Sequence, residues 1–395
     1  MALPPELVFI TDLVALYAVY LIVSLSLNLE YGYAGIPNFG KMLAVAGGAF
    51  VAGALPGRLA ADFLRIPVED YVRDNVIIVT QVNVALRTNA SLALSILLAT
   101  LIVAAGVGAA LGFIASYPAR RLREDYLAIT LLAMAEGIRV IGYNYPPLVG
   151  GTLGVQVADT LAWVTPELRY SAATLLLLAV AIIVLVYMHL TVNSPLGRAL
   201  RAIRDSEIAA ATLGKDIVRT RMQVLVVGSA LGALGGALYG LYAGGVIATA
   251  YDRVTWTFWP WVMVVLGGAA NNLGVSLGTL IFVTFRKLIT FYKGALGPYL
   301  PFDPVWLDLI LLGIVLTLIL MYRPQGLLPA KPIFTISRDE IQKIAETKAV
   351  TSDRAKRDSI PPQANRATSR PEIAKPKSWR LANKLRKLAR KGEGR

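Results

Sequence analysis

Few side chains in this chain could do chemistry, and their spacing excludes most of it. There is no cysteine, which removes disulfides, thiolate nucleophiles and cysteine metal sites. The single histidine, His189, closes an apolar run. Alone it builds neither a His-rich metal site nor a Ser-His-Asp triad, and an interfacial ring is the plainer reading. Gly214-Lys215 is followed by Asp216 and lacks the upstream glycine of a P-loop, so it cannot cradle phosphate. No catalytic residue, metal or cofactor is expected. The charged groups left over are more telling. Lys41, and Glu136 with Arg139 three residues on, sit inside apolar segments. Glu136 and Arg139 can pair on one helix face, as a packing pair or a functional one. Lys41 is costly there and is expected to snorkel or line water.

The elements around these residues are made for lipid. The chain has 395 residues, 56% hydrophobic and only 16% charged, above the usual apolar share of soluble domains. Runs such as "LVFITDLVALYAVYLIVSLSLNL" and "SAATLLLLAVAIIVLVYMHL" are long enough to cross a bilayer. Nine segments are expected, at about 7–28, 33–55, 91–117, 126–142, 171–190, 223–246, 257–270, 273–291 and 305–322. The pair 257–291 is expected as a broken or re-entrant hairpin turning at "GGAANNLG". The fold class is an all-α integral membrane protein. The first span starts almost at once, with no basic region or cleavage site ahead of it, and is expected to stay.

Basic residues near span ends orient the chain. "ARRLRED" and the loop 192–222 carry the densest clusters and are placed in the cytoplasm. An odd span count then puts the N-terminus outside and the C-terminus in the cytoplasm, at the cell (plasma or inner) membrane. Arg286, Lys287, Lys293 and the arginines spread through 58–87 run against this. The division is a permease region 1–330 and a tail 331–395, with 18 Lys/Arg against 7 Asp/Glu. That tail is expected to be largely disordered. Its end, "SWRLANKLRKLARK", places Trp379, Leu381, Leu385 and Leu388 at helical spacing on a basic background. It reads either as a helix on anionic membrane lipids or as a solvated basic tail.

One short stretch does not fit a lipid-bound chain: "SPLGRALRAIRDSEIAAATLGKD". Ser194-Pro195 is a helix start, a hydroxyl cap followed by proline at the first helical position. Leu196, Leu200 and Ile203 form a narrow apolar stripe, with Arg198, Arg201 and Arg204 on another face. Asp205-Ser206 offers a second cap, Glu207 sits in the next first turn, and Gly214 is a stop. Two such short helices are marginal alone in water. Either the membrane surface holds them, or they dock a cytoplasmic protein that pushes on the membrane part.

"NSPLGRALRAIRDSEIAAATLG" resembles the cytoplasmic loop of branched-chain amino acid ABC importer permeases of the LivM type. In that family the Glu-x-Ala-Ala-x-x-x-Gly pattern, here Glu207, Ala209, Ala210 and Gly214, engages the ATPase subunit. "LNLEYGYAGIPNFGKMLAVAGGAFVAG", "LREDYLAITLLAMAEGIRVI", "LVGGTLGV", "VVLGGAANNLGVSLGTLI" and "YRPQGLLP" are similar to further family segments in the same order, over about residues 20–330. Two positions depart from the pattern: Lys41 stands where the family often has histidine, and Val149 where it has threonine. The resemblance implies two cytoplasmic ABC ATPase subunits, a second, LivH-like permease, and an extracytoplasmic substrate-binding protein. ATP chemistry then belongs to the partners. Arg198, Arg201 and Arg204 join Glu207, Ala209, Ala210 and Gly214 as the expected coupling surface.

The substrate path is sought where glycine breaks membrane helices and exposes backbone. Three places qualify: Gly32, Gly35, Asn38 and Lys41; Gly150, Gly151 and Gly154; and Gly267, Gly268, Asn271 and Asn272. Glu136 is added as the intramembrane acid. The alternative for each glycine is close helix packing. Substrates would be branched-chain or other small amino acids, with urea or short amides open. An ion-coupled secondary transporter is the competing reading. It needs poised intramembrane acids and leaves the 194–214 helices unexplained. An integral-membrane enzyme lacks candidate chemistry.

Overall fold

A computed structural model of the chain describes residues 5–119, 121–122, 124–293 and 306–330. All belong to the first of two units, Met1–Lys331. The expected basic tail, and Arg120 and Arg123 of the basic turn, lie outside the described residues.

Seven of the described helices are long and apolar enough to cross a membrane. They are α1 (Pro5–Leu27, continued by a π-helical turn Asn28–Tyr33), α2 (Lys41–Phe63), α4 (Ala90–Ala119), α5 (Glu124–Asn144), α7 (Pro166–Asn193), α10 (Ile217–Ala243) and α12 (Asn272–Phe291). Shorter helices are α3 (Asn75–Thr88), α6 (Pro146–Val149), α8 (Pro195–Asp205), α9 (Glu207–Thr212), α11 (Trp259–Gly267) and α13 (Leu307–Tyr322). Two-residue strands Val155–Gln156 and Gly245–Val246 pair antiparallel. Of the nine expected segments, two are short. The apolar stretch Val254–Gly267 rises about 20 Å at 1.5 Å per residue, against a hydrocarbon core of about 30 Å. The described helix of the last segment, Leu307–Tyr322, has 16 residues.

The centre is α10, packed between α2 and α4 on a face of small residues. A Cβ at Gly48 or Gly236 would collide with a backbone carbonyl of the facing helix, Ala233 or Val45. A Cβ at Gly112 of α4 would meet the Leu225 carbonyl. Between membrane helices this close approach supplies the dispersion contacts that a hydrophobic effect cannot, because lipid is as apolar as the helix. α1 packs on α7, α10 and the α11–α12 pair, and α5 lies on α2.

α11 and α12 form a broken hairpin. A Cβ at Gly278 would strike the Met263 carbonyl, so the two helices touch backbone to backbone. At the turn, Gly268 has φ +109°, which other residues rarely adopt. The segment after α13 closes this end: Leu327 N–H donates to Leu266 O (2.9 Å) and Leu328 N–H to Gly267 O (3.0 Å). These bonds satisfy carbonyls that a helix end leaves open. That is the structural work of "YRPQGLLP". Above the turn, Trp256 stacks between Tyr20 and Tyr251, with ring centroids at 5.4 and 5.6 Å. This wedge fixes the irregular entry into α11.

Contacts sort the ends of the bundle. Phe9 of α1 meets Phe291 of α12, and Asp12 pairs with Lys287. At the other end of the same two helices, Asn28 bonds Asn272, and α8 lies beside the end of α1. α1 therefore starts at the end opposite α8–α9, and the segment 323–330 returns to the α8–α9 end.

Candidate functional site

The α8–α9 knuckle is built as its sequence implies. Leu196 N–H donates to Ser194 Oγ (3.2 Å), with Pro195 in the first turn, and Ala209 N–H donates to Ser206 Oγ (3.3 Å). Gly197 allows the abrupt α7–α8 turn, since a Cβ there would strike the Val192 carbonyl. Leu200, Ile203 and Ala210 are buried, while Leu196 is exposed, so the inward stripe is shorter than expected. Gly214 has φ +74° with open space around its α-carbon. Within this chain it serves the backbone turn and no packing contact.

The three arginines of α8 part ways. Arg198 is exposed. Arg201 reaches back to Val192 O (3.4 Å). Arg204 pairs with Asp205 (3.1 Å). Its Nη1 also donates to Gly32 O at 2.7 Å, and its stem lies over Gly35. Gly32 O belongs to the π-helical turn that ends α1. Glu207 pairs with Arg221 near the start of α10, across the Gly214 turn. The outer surface is left to apolar groups: Ile208 is 81% exposed and Leu213 76%. Two large aliphatic side chains this exposed, beside alanines 209 and 211, are suited to contact with another protein.

Beneath Arg204 lies the junction where α1 breaks. Glu30 and Lys41 are both fully buried and joined at 2.9 Å. Asn38 Nδ2 donates to the other carboxylate oxygen of Glu30 (2.8 Å), and Lys41 Nζ also donates to Gly228 O (3.0 Å). Asn28 Nδ2 donates to Asn272 Oδ1 (2.9 Å), and Ala270 N–H to Asn28 Oδ1 (2.8 Å). Lys41 thus neither snorkels nor meets water. An ionised carboxylate buried with an ammonium is tolerable because each is also hydrogen-bonded. Glu30 escaped the sequence reading. The available signal was that Glu30 and Lys41 are the only charges between Asp12 and Arg58.

The expected path residues fall into separate groups. Gly32 meets the hairpin turn at Ala270, Gly35 lies under Arg204, and Asn38 and Lys41 bond Glu30, while Gly267 and Gly268 pack on Gly274 and Leu328, and Asn271 caps α12 by accepting from Leu273 and Gly274 N–H. Gly32 is a packing residue, since a Cβ would hit Asn28 and Ala270. Gly150, Gly151 and Gly154 lie at the opposite end with the strand pair, all at positive φ. Val149 is buried beside Gly53. Glu136 pairs with Arg139 on α5.

Residues 9–320 match the family described as "Branched-chain amino acid transport system / permease component". The chain belongs to that family. This permease is 41% identical to the probable branched-chain amino acid transport permease protein LivM of Methanocaldococcus jannaschii, over 81% of the present chain and 93% of that one. It is 28% identical to the high-affinity branched-chain amino acid transport system permease protein LivM of Escherichia coli, over 58% and 56% of the two chains. The LivM protein of Salmonella typhimurium gives the same identity. No solved structure matches. The chain is therefore a multi-pass membrane permease component of LivM type, and its relatives are transport permeases rather than enzymes.

Proposed function

We propose that this permease is one half of the membrane core of an ABC importer for branched-chain amino acids, driven by separate ATPase subunits that grip α8–α9. The carrying observation is the Arg204–Gly32 bond. It ties a capped knuckle with an exposed apolar surface to the broken end of α1. Two cytoplasmic ATPases, a second LivH-like permease and an external binding protein complete the assembly. The α8–α9 end faces the cytoplasm, and the N-terminal end faces outward. The hairpin and the α1–α2 break are the elements that move when the knuckle is pushed, because irregular backbone concentrates there. An ion-coupled carrier working alone needs a free acid in the membrane. Glu30 is neutralised by Lys41 and Glu136 by Arg139, which disfavours that reading.

The test is uptake of labelled leucine by the complete assembly in proteoliposomes. Uptake that needs ATP and all subunits is expected, and uptake by the isolated chain overturns the proposal. Because the chain has no cysteine, Leu213→Cys reports orientation. A membrane-impermeant maleimide should label it only after cells are opened; labelling of intact cells reverses the topology.

A further inference from the structure

Among the seven long spans, α5 is the least buried inside the protein, and its open side, apolar toward both ends, is interrupted at the middle by small and charged residues. Tyr126, Ile129, Ala133, Gly137, Val140 and Asn144 recur at three- and four-residue steps, and all are exposed. The middle of this stripe is small: a Cβ added at Gly137 would meet nothing within 4 Å. Beside it stands the Glu136–Arg139 pair, about a third exposed on each side chain, near the middle of the 21-residue helix. The exposed side of α7 differs. Leu175, Ile182, Ile183, Val186 and Leu190 dominate it, and residues 170–188 carry no charge.

Two ionised groups at mid-span are costly against hydrocarbon, whereas a small-residue saddle is how membrane helices admit a neighbouring backbone. A groove of about 510 Å³ adjoins the saddle between α2, α4 and α5, lined by Gly47, Phe50, Val107, Leu111, Gly137 and Ile138. It can take side chains from a helix lying on α5.

We propose that this face of α5 is the contact with the second permease, whose facing helix supplies a polar group to Glu136–Arg139 and packs over Ala133 and Gly137. The inference rests on the importer reading above and adds the place of contact. Charge decides the occupant: a lipid tail cannot solvate the ion pair, and a polar residue from a membrane-spanning partner can.

The absence of native cysteine makes the test direct. Gly137→Cys and, on α7, Ile183→Cys are each labelled with a maleimide benzophenone in membranes containing the whole importer, then irradiated. Cross-linked products are identified by mass spectrometry. The second permease is expected as the product at 137 and only lipid at 183. Lipid alone at 137, or a second copy of this chain, overturns the proposal. Gly137→Trp should also lower co-purified second permease by roughly tenfold, the scale of a hot-spot contact, while Ile183→Trp should not. ATP-driven leucine uptake by the cysteine variants is measured in parallel. If uptake is present and 137 reaches only lipid, this inference fails alone; if uptake is absent in the unmodified assembly, the importer reading fails first.

Discussion

The junction beneath Arg204 and the α8–α9 knuckle above it are neighbours that treat polar groups in opposite ways. In the junction, Glu30, Lys41, Asn28 and Asn38 are buried and bonded to one another or to backbone. In the knuckle, the ion pairs Arg204–Asp205 and Glu207–Arg221 are partly exposed, and large apolar side chains point outward. Burial makes the first set a lock, because any member left alone is an unpaired polar group in a membrane interior. Exposure makes the second set replaceable at small cost, so its residues are free to serve a partner. Arg204 belongs to both, bonded to Gly32 O on one side and Asp205 on the other.

The largest expected effect comes from breaking the lock on one side. Lys41→Met leaves Glu30 buried without its cation and should cost about 3–5 kcal/mol, read as loss of folded protein in a thermal unfolding series in detergent. The double variant Glu30→Gln, Lys41→Met should recover most of that loss, because no charge is left stranded. A double variant as unstable as the single one would show that the pair, and not the stranded charge, carries the stability.

Helix packing behind the junction ranks next. Gly236→Leu drives a side chain into the Val45 carbonyl and should cost about 1–3 kcal/mol as overpacking. Gly106→Leu on α4, where a Cβ meets nothing within 4 Å, should not destabilise, because leucine is the better helix former, and it is the control in the same unfolding series.

How much of this contrast the sequence reveals depends on distance along the chain. Glu136–Arg139 is visible because three residues on a helix fix the geometry. The caps at Ser194 and Ser206 are visible because capping is local. Glu30–Lys41 spans a break in the helix, so no period relates the two residues, and only their isolation in an uncharged stretch points to a pair. Glu207–Arg221 crosses a glycine turn and is hidden in the same way. The central role of α10 is legible as a glycine-rich face, but not which helices it receives. The short α11 and its hairpin with α12 are legible in a brief apolar run that ends at the glycine-rich turn, whereas the π-helical turn Val254–Phe258 is hidden, because hydropathy does not register a change of backbone.

Arg204 tests whether the two regions are coupled. Arg204→Ala removes a charge-assisted bond to Gly32 O, a contact worth about 1.5–3 kcal/mol and less where, as here, the side chain is partly solvated. ATPase subunits should still co-purify, since the outward surface is unchanged, while leucine uptake per ATP hydrolysed should fall. Unchanged uptake per ATP would show that motion enters the membrane part by another route.

The smallest stability effect with a large functional one is expected at Glu207. Its pair with Arg221 is partly exposed, so Glu207→Lys should shift stability by at most about 1 kcal/mol, with the unfolding midpoint nearly unmoved. The same change puts a lysine opposite Arg221 and, at the first turn of α9, against the positive end of the helix dipole. α9 should then lift from the start of α10, and ATP-driven uptake should be lost. Glu207→Gln separates the two causes: it removes the charge without creating repulsion, so it should keep the knuckle in place and retain much of the uptake. If the glutamine variant is as inactive as the lysine one, the carboxylate itself is read by the ATPase. If both transport normally, the knuckle does not depend on this pair, and its grip lies with exposed Ile208 and Leu213 alone.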